Sequence, residues 1–277
     1  MSKIIVLKSG SYARLNPECS GFAHGFGIFE TIRLASGRLE FWKEHYERLS
    51  RSAGAFELRF DQPEALVLEA IREFVQSEKL YDGIVKLSLL KDGDEDCCYV
   101  YTRPIELPGE PVNLQLSRQS PVNEHSLLAG HKTHNYMESV YLKQSAGRTG
   151  FFDFVRLNTS GFIAETAMAN LFFIKDNVLC TPALSTGILP GIIRAEVIEI
   201  AKQHSIRLEE GRYSQESLKT ADAIFLTNSS FGILSVHSLE ADDFSVTFDA
   251  ASTMPAVLKT ALSDAKKRKS VVLTDEQ

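Results

Sequence analysis

The alternation of apolar and polar positions divides the chain into short strands and a few amphipathic helices. Apolar or alternating runs at residues 4–7, 27–34, 38–42, 84–90, 99–103 and 112–117 predict strands. Ala35-Ser36-Gly37, between the second and third of these, is a hairpin signal. Residues 43–56 carry apolar or small side chains at 46, 49, 53 and 56, which is helical spacing. Residues 62–79 form a second helix, with Leu66, Ala70, Ile71 and Phe74 on one face. An acidic turn at 92–96 separates two of the strands.

Beyond residue 130 the pattern changes. A helix is expected at about 135–146. The turn Asn158-Thr159-Ser160-Gly161 leads into a strand carrying Glu165, and Lys175-Asp176-Asn177 closes a hairpin back to Val178-Leu179-Cys180. A Gly-rich loop, 187–191, opens into a helix at 191–204. A strand near Arg207, a short helix at 215–219, a strand at 223–227, a hairpin around 232–247 and a last helix at 255–268 follow. Residues 118–130 are polar, with one proline and no clear period, and read as a linker. The expected organisation is a small N-terminal α+β domain (1–117), that linker, and a larger C-terminal domain (131–277). Helices and strands mix without regular βαβ alternation, so the class is α+β.

Composition narrows the partners. The 277 residues are 44% hydrophobic and 24% charged, ordinary globular values with ample core. With 30 basic and 36 acidic residues the net charge is −6, which argues against nucleic acid or an anionic membrane as main partner. The basic run Lys266-Lys267-Arg268-Lys269 reads as a solvated helix end that complements the helix dipole. Cysteines 19, 97, 98 and 180 lack metal-ligand spacing, so reduced thiols, a cytoplasmic location and no metal are expected. The four apolar residues near the N-terminus are too few for a signal-peptide core, and no run approaches a membrane span.

Candidate chemistry lies in a few places. A Gly-rich loop feeding a helix offers the backbone N–H groups of Ile192 and Ile193 to an anion; Pro190 as a plain helix starter is the simpler alternative. Lys132, in His131-Lys132-Thr133-His134-Asn135-Tyr136, suits Schiff-base chemistry if its amine is partly buried near other cations. Glu165 is either a solvent-facing strand residue or an acid set against a ring nitrogen. Arg48 can hold a phosphate with two parallel bonds, or pair with Glu44 one turn back. Ser229 is a turn hydroxyl that could join the phosphate. His131 and His134 read as polar loop residues.

The order of these segments is more specific than any one of them. GFGIFETIR, EHYERL, HKTHNY, AETAMANLF, LPGIIR and TNSSFGI follow one another in a way that resembles the fold-type IV, or class IV, pyridoxal-phosphate enzymes over about residues 20 to 240. That group includes 4-amino-4-deoxychorismate lyase and the branched-chain and D-amino-acid aminotransferases. The resemblance implies a two-domain α+β fold, pyridoxal 5′-phosphate as cofactor, a small amino-group substrate and a homodimer. It implies that Lys132 is the Schiff-base lysine and Glu165 the acid on the pyridine nitrogen. Arg48, the backbone of Ile192 and Ile193, and Ser229 match the phosphate cup. Tyr136 sits where some aminotransferases place a tyrosine on the cofactor's phenolate oxygen. Lys143 matches a non-catalytic position.

Within that group two features lean toward the lyase. Lys86 resembles a lysine of the lyases, where branched-chain aminotransferases have arginine. TNSSFGI resembles the lyase loop Asn-Ser-x-x-Gly, whereas the aminotransferase form would place Glu at position 232. GILPGIIR and Tyr136 suit aminotransferases as well. His24 and Phe26 depart from the usual tyrosine and acid and are expected near the substrate mouth, and Ser235 replaces a usual proline.

Overall fold

The computed structural model describes residues 3–7, 17–93, 96–248 and 253–274. In chain order the elements are β1 (Lys3–Val6), α1 (Ser20–Ala23), β2 (Gly27–Ala35), β3 (Arg38–Glu40), α2 (Trp42–Ala55), α3 (Glu64–Ser77), β4 (Gly83–Leu90), β5 (Cys97–Arg103) and β6 (Val112–Val122). There follow α4 (Met137–Arg148), β7 (Asp153–Asn158), β8 (Ile163–Thr166), β9 (Asn170–Lys175), β10 (Val178–Pro182), α5 (Ile192–Gln203) and β11 (Leu208–Gly211). The chain continues with α6 (Gln215–Lys219), β12 (Ala223–Asn228), β13 (Gly232–Glu240), β14 (Ser245–Thr247), α7 (Thr253–Arg268) and β15 (Ser270–Val272). The class is α+β, as the mixed pattern requires.

The chain forms two compact units, divided differently from the expected boundary. Residues 1–106, 131–136 and 266–277 make unit 1; residues 107–130 and 137–265 make unit 2. The expected linker is partly strand, because β6 runs on to Val122. Its alternation of buried Leu114, Leu116 and Val122 is broken by polar residues 117–120, which hid the extension. Residues 94 and 95 of the acidic turn lie outside the described residues.

Unit 1 is a six-stranded sheet in the order β1-β5-β4-β2-β3-β15. Its two faces differ in chemistry because strand side chains alternate. One face carries Ile28, Ile32 and Leu34 of β2, Val85, Leu87 and Leu89 of β4, and Cys98 and Val100 of β5, all buried in one core. Leu49 and Ala53 of α2 and Val67, Ile71, Phe74 and Val75 of α3 complete that core, so the helical spacing read from the sequence marks the packed faces. The other face carries Phe29 and Thr31, then Lys86 and Ser88, then Tyr99, Tyr101 and Arg103 in register.

Unit 2 is built on a sheet ordered β11-β10-β9-β12-β13-β6-β7-β8, with β14 on β13. The β9–β10 hairpin forms because Asp176 and Asn177 take positive φ, 50° and 60°, as a tight primed turn demands. Phe172 and Phe225 stack 5.1 Å apart between adjacent strands. Helix α5 buries Ile193, Val197, Ile200 and Ala201.

Candidate functional site

In unit 1 the segment 131–136 runs along the first half of β2. Phe29 N–H donates to Lys132 O, His134 N–H donates to Gly27 O, and Thr133 bridges Ile28. Alternation along this short extension sends Thr133 to the core and Lys132 and His134 to the other face. There Lys132 Nζ stands 4.5 Å from the centre of the Phe29 ring and 4.7 Å from that of Tyr136, and it reaches Tyr136 Oη at 3.5 Å. Lys86 Nζ stands 3.8 Å from the centre of the same Phe29 ring and donates to Thr31 Oγ1 at 3.0 Å. Burial, followed by the charges of Lys132 and Arg103, pushes the Lys86 amine down to about 7. Burial with the Lys86 charge pushes the His134 imidazole down to about 4, so that ring is neutral at pH 7. Its Nε2 is buried and makes no hydrogen bond.

Arg48 is held on the core face of β2. Its Nε and Nη2 donate to Glu30 Oε1 and Oε2 at 2.7 and 2.6 Å, and His45 Nδ1 lies 2.7 Å from Oε2. Glu44, the partner one turn back that the spacing allowed, lies 3.4 Å from Lys269. Burial raises the Glu30 carboxyl, but Arg48 and His45 override it and hold the group well below the usual carboxylate range. His24, the residue after α1, and Phe26 are exposed.

In unit 2 Glu165 lies on β8 with its carboxylate fixed from two sides. Leu189 N–H donates to it at 3.2 and 3.3 Å, and Asn170 Nδ2 at 2.9 Å. Asn170 Nδ2 also donates to Leu189 O at 2.9 Å, which ties the strand to the loop before α5. Helix α5 starts at Ile192 with no side-chain cap and no acid in its first turn. The amides of Ile192 and Ile193 therefore head a helix end that favours an anion. Ser229 lies in the turn after β12, and the hydroxyl of Thr227 beside it is buried with no hydrogen-bond partner. Taken unit by unit, the amine in unit 1 suits an aldehyde, and the anchored acid, uncapped helix end and orphaned hydroxyl in unit 2 suit a pyridine ring that bears a phosphate.

Glycine at position 191 is set by contact. A Cβ there would lie 1.9 Å from Asn170 Oδ1. Gly191→Ala is expected to push Asn170 off Glu165 and to cost about 1–3 kcal/mol; an unchanged thermal midpoint would rule out that packing.

The structure gathers Lys132, Tyr136 and Lys86 on one face of the unit 1 sheet, and Glu165 with the α5 terminus in unit 2. It places Arg48 on the opposite face of β2 from Lys132. Lys143 is engaged within unit 2: its Nζ bonds Phe152 O and sits 3.3 Å from the centre of that ring. Phe29, Thr31 and Asn170 were not singled out in the sequence. Two-residue alternation in β2 could have found the first two, since Thr31 pairs directly with Lys86. Asn170 has no local signal, because its bond to Glu165 depends on how β9 follows β8. The four cysteines are buried and form no disulfide. Among the described residues no group of metal-ligating side chains forms, and no helix is long and apolar enough to cross a membrane.

Comparison with known proteins gives the same picture. The amino-transferase class IV family matches residues 27–239. An aminodeoxychorismate lyase of Bacillus subtilis is 30% identical over 245 residues, 82% of each chain. A D-alanine aminotransferase of Bacillus licheniformis is 25% identical, over 84% of this chain and 86% of that one. A crystal structure from Legionella pneumophila, provisionally named a 4-amino-4-deoxychorismate lyase, superposes with a TM-score of 0.87 at 29% identity, covering 95% of this chain and 99% of that one. The chain belongs to the amino-transferase class IV family and is a pyridoxal 5′-phosphate-dependent enzyme of fold type IV.

Proposed function

We propose that the protein is a cytoplasmic, homodimeric 4-amino-4-deoxychorismate lyase that releases pyruvate and leaves 4-aminobenzoate for folate synthesis. The observation that carries this reading is Lys86. A second amine, bonded to Thr31, faces the same ring as Lys132, and the substrate is a dicarboxylate that needs a cation near the reacting carbon. Gly232 supports it: φ there is +79°, a conformation that the glutamate of the aminotransferase loop would adopt only with strain.

When bound, the cofactor supplies an electron-accepting ring. Lys132 would hold the cofactor through its amine, and its free amine would take the proton from the substrate carbon that bears nitrogen. Glu165, fixed by Leu189 N–H and Asn170, holds a proton on the ring nitrogen. Ile192 and Ile193 N–H and Ser229 would bind the phosphate, Tyr136 the phenolate oxygen, and Lys86 a substrate carboxylate, whereas Arg48 is engaged by Glu30 on the core face of β2. His24 and Phe26 shape substrate entry. The carbon–oxygen bond to the enolpyruvyl group breaks, that group takes a proton to become pyruvate, and aromatisation of the ring favours the step.

The test is a paired assay on the yellow protein. 4-Amino-4-deoxychorismate should give pyruvate and 4-aminobenzoate, while D- and L-amino acids with 2-oxoglutarate or pyruvate should give little keto acid. The reverse outcome would make the protein an aminotransferase of branched-chain L-amino acids or D-amino acids, the reading favoured by Tyr136 Oη lying 3.5 Å from Lys132 Nζ. Glu165→Gln should slow turnover roughly 10- to 200-fold, the worth of one charge-assisted hydrogen bond of about 1.5–3 kcal/mol, with cofactor retained. An unchanged rate would remove Glu165 from the mechanism. Elution at the mass of a single chain would overturn the homodimer.

A further inference from the structure

The outer face of the unit 1 sheet holds an arrangement that carbonyl chemistry alone does not require. Two lysines stand against one aromatic ring, Lys86 at 3.8 Å and Lys132 at 4.5 Å from the centre of Phe29. The ring attracts each cation, but it also holds two like charges near each other in a partly buried place. Lys86 is fixed there. Its strand pairs Thr31 directly opposite, and its ammonium donates to that hydroxyl. Tyr101 lies at the matching position on the other neighbouring strand. Arg103 of β5 and His134 of the 131–136 segment are the other groups of that face that couple to it, and Glu30 acts from the core side of β2.

We propose that Lys86 is an electrostatic positioning residue for Lys132: across the Phe29 ring its charge disfavours a proton on Lys132 Nζ. The inference rests on Lys132 being the lysine that holds the cofactor. Like-charge coupling is reciprocal, so whatever Lys132 does to Lys86, Lys86 does to Lys132. Burial and the Lys132 and Arg103 charges bring the Lys86 amine to about 7, so the charge that faces Lys132 changes in the working range. A substrate carboxylate seated on Lys86 cancels its charge, and Lys132 then gains basicity when it has a proton to take.

The test uses holoenzyme and a readout separate from turnover: the pH at which the visible absorbance of the bound cofactor changes. Lys86→Arg keeps a permanent charge and Lys86→Met has none; Lys86→Gln supplies a second neutral case should the methionine variant fail to fold. The arginine variant should titrate at a lower pH than the neutral one, by about one unit or more. The wild type should follow the arginine variant below pH 7 and the neutral one above it. Coincident titrations of the arginine and neutral variants would overturn the inference while leaving Lys132 in its role. A visible band that survives Lys132→Ala would instead overturn the role of Lys132, and this inference with it.

Discussion

Replacing Lys132 with alanine is expected to abolish turnover and the visible absorbance of the bound cofactor, while the protein stays folded. Lys132 holds its place through backbone bonds, with Phe29 N–H donating to its carbonyl, and the side chain lies on the outer sheet face rather than in the core. Losing it leaves that ladder intact and opens no cavity in the packed core of Ile28, Ile32 and Leu34. In the proposed mechanism the residue both holds the cofactor and transfers a proton, and loss of the proton transfer alone costs about 10²–10⁴-fold. Lys86 is close by but bonded to Thr31, so it does not substitute. Lys143 is engaged with Phe152 on α4's own side of unit 2. Measured turnover above about a hundredth of wild type, or a retained visible band, would show that another amine does the work.

The parts legible in the sequence were those set by local pattern. Helices α2 and α3 and the β9–β10 hairpin follow from spacing and from two turn residues that tolerate positive φ. The parts not legible depend on contacts between distant residues. Strand β15 is three residues that pair with β3, and no local period marks so short a run. Segment 131–136 carries the proposed site lysine yet groups with residues a hundred positions earlier, because its partner is β2. A boundary drawn from composition at 118–130 could not anticipate that. Lys132, Glu165 and Ser229 were reached through the order of motifs; their spacing alone left each with a plainer reading. What the order could not supply was the orientation of the neighbours: Lys86 against Phe29, Asn170 against Glu165, and Arg48 against Glu30.

Glu30 shows how such a residue could have been found. It shares alternation with Ile28, Ile32 and Leu34, so a carboxylate was being sent into an apolar core, where it needs partners. The structure supplies Arg48 and His45. Glu30→Gln at neutral pH leaves the Arg48 guanidinium buried without its counter-charge, and it is expected to cost about 3–5 kcal/mol. Replacing Glu30 and Arg48 together by leucine and methionine should cost less than the single change, because no uncompensated charge remains. The pH dependence fixes the sign. The folded-state carboxyl lies well below its usual range, so an unfolded chain binds the proton first, near about 4.3. The stabilisation is therefore complete above that pH and falls away as the pH drops through the acid range toward the folded value. Denaturant unfolding of wild type and Glu30→Gln should differ most near pH 7 and converge below about pH 4. A difference under about 1 kcal/mol at pH 7 would contradict the buried pair, and so would a gap that stays constant into acid.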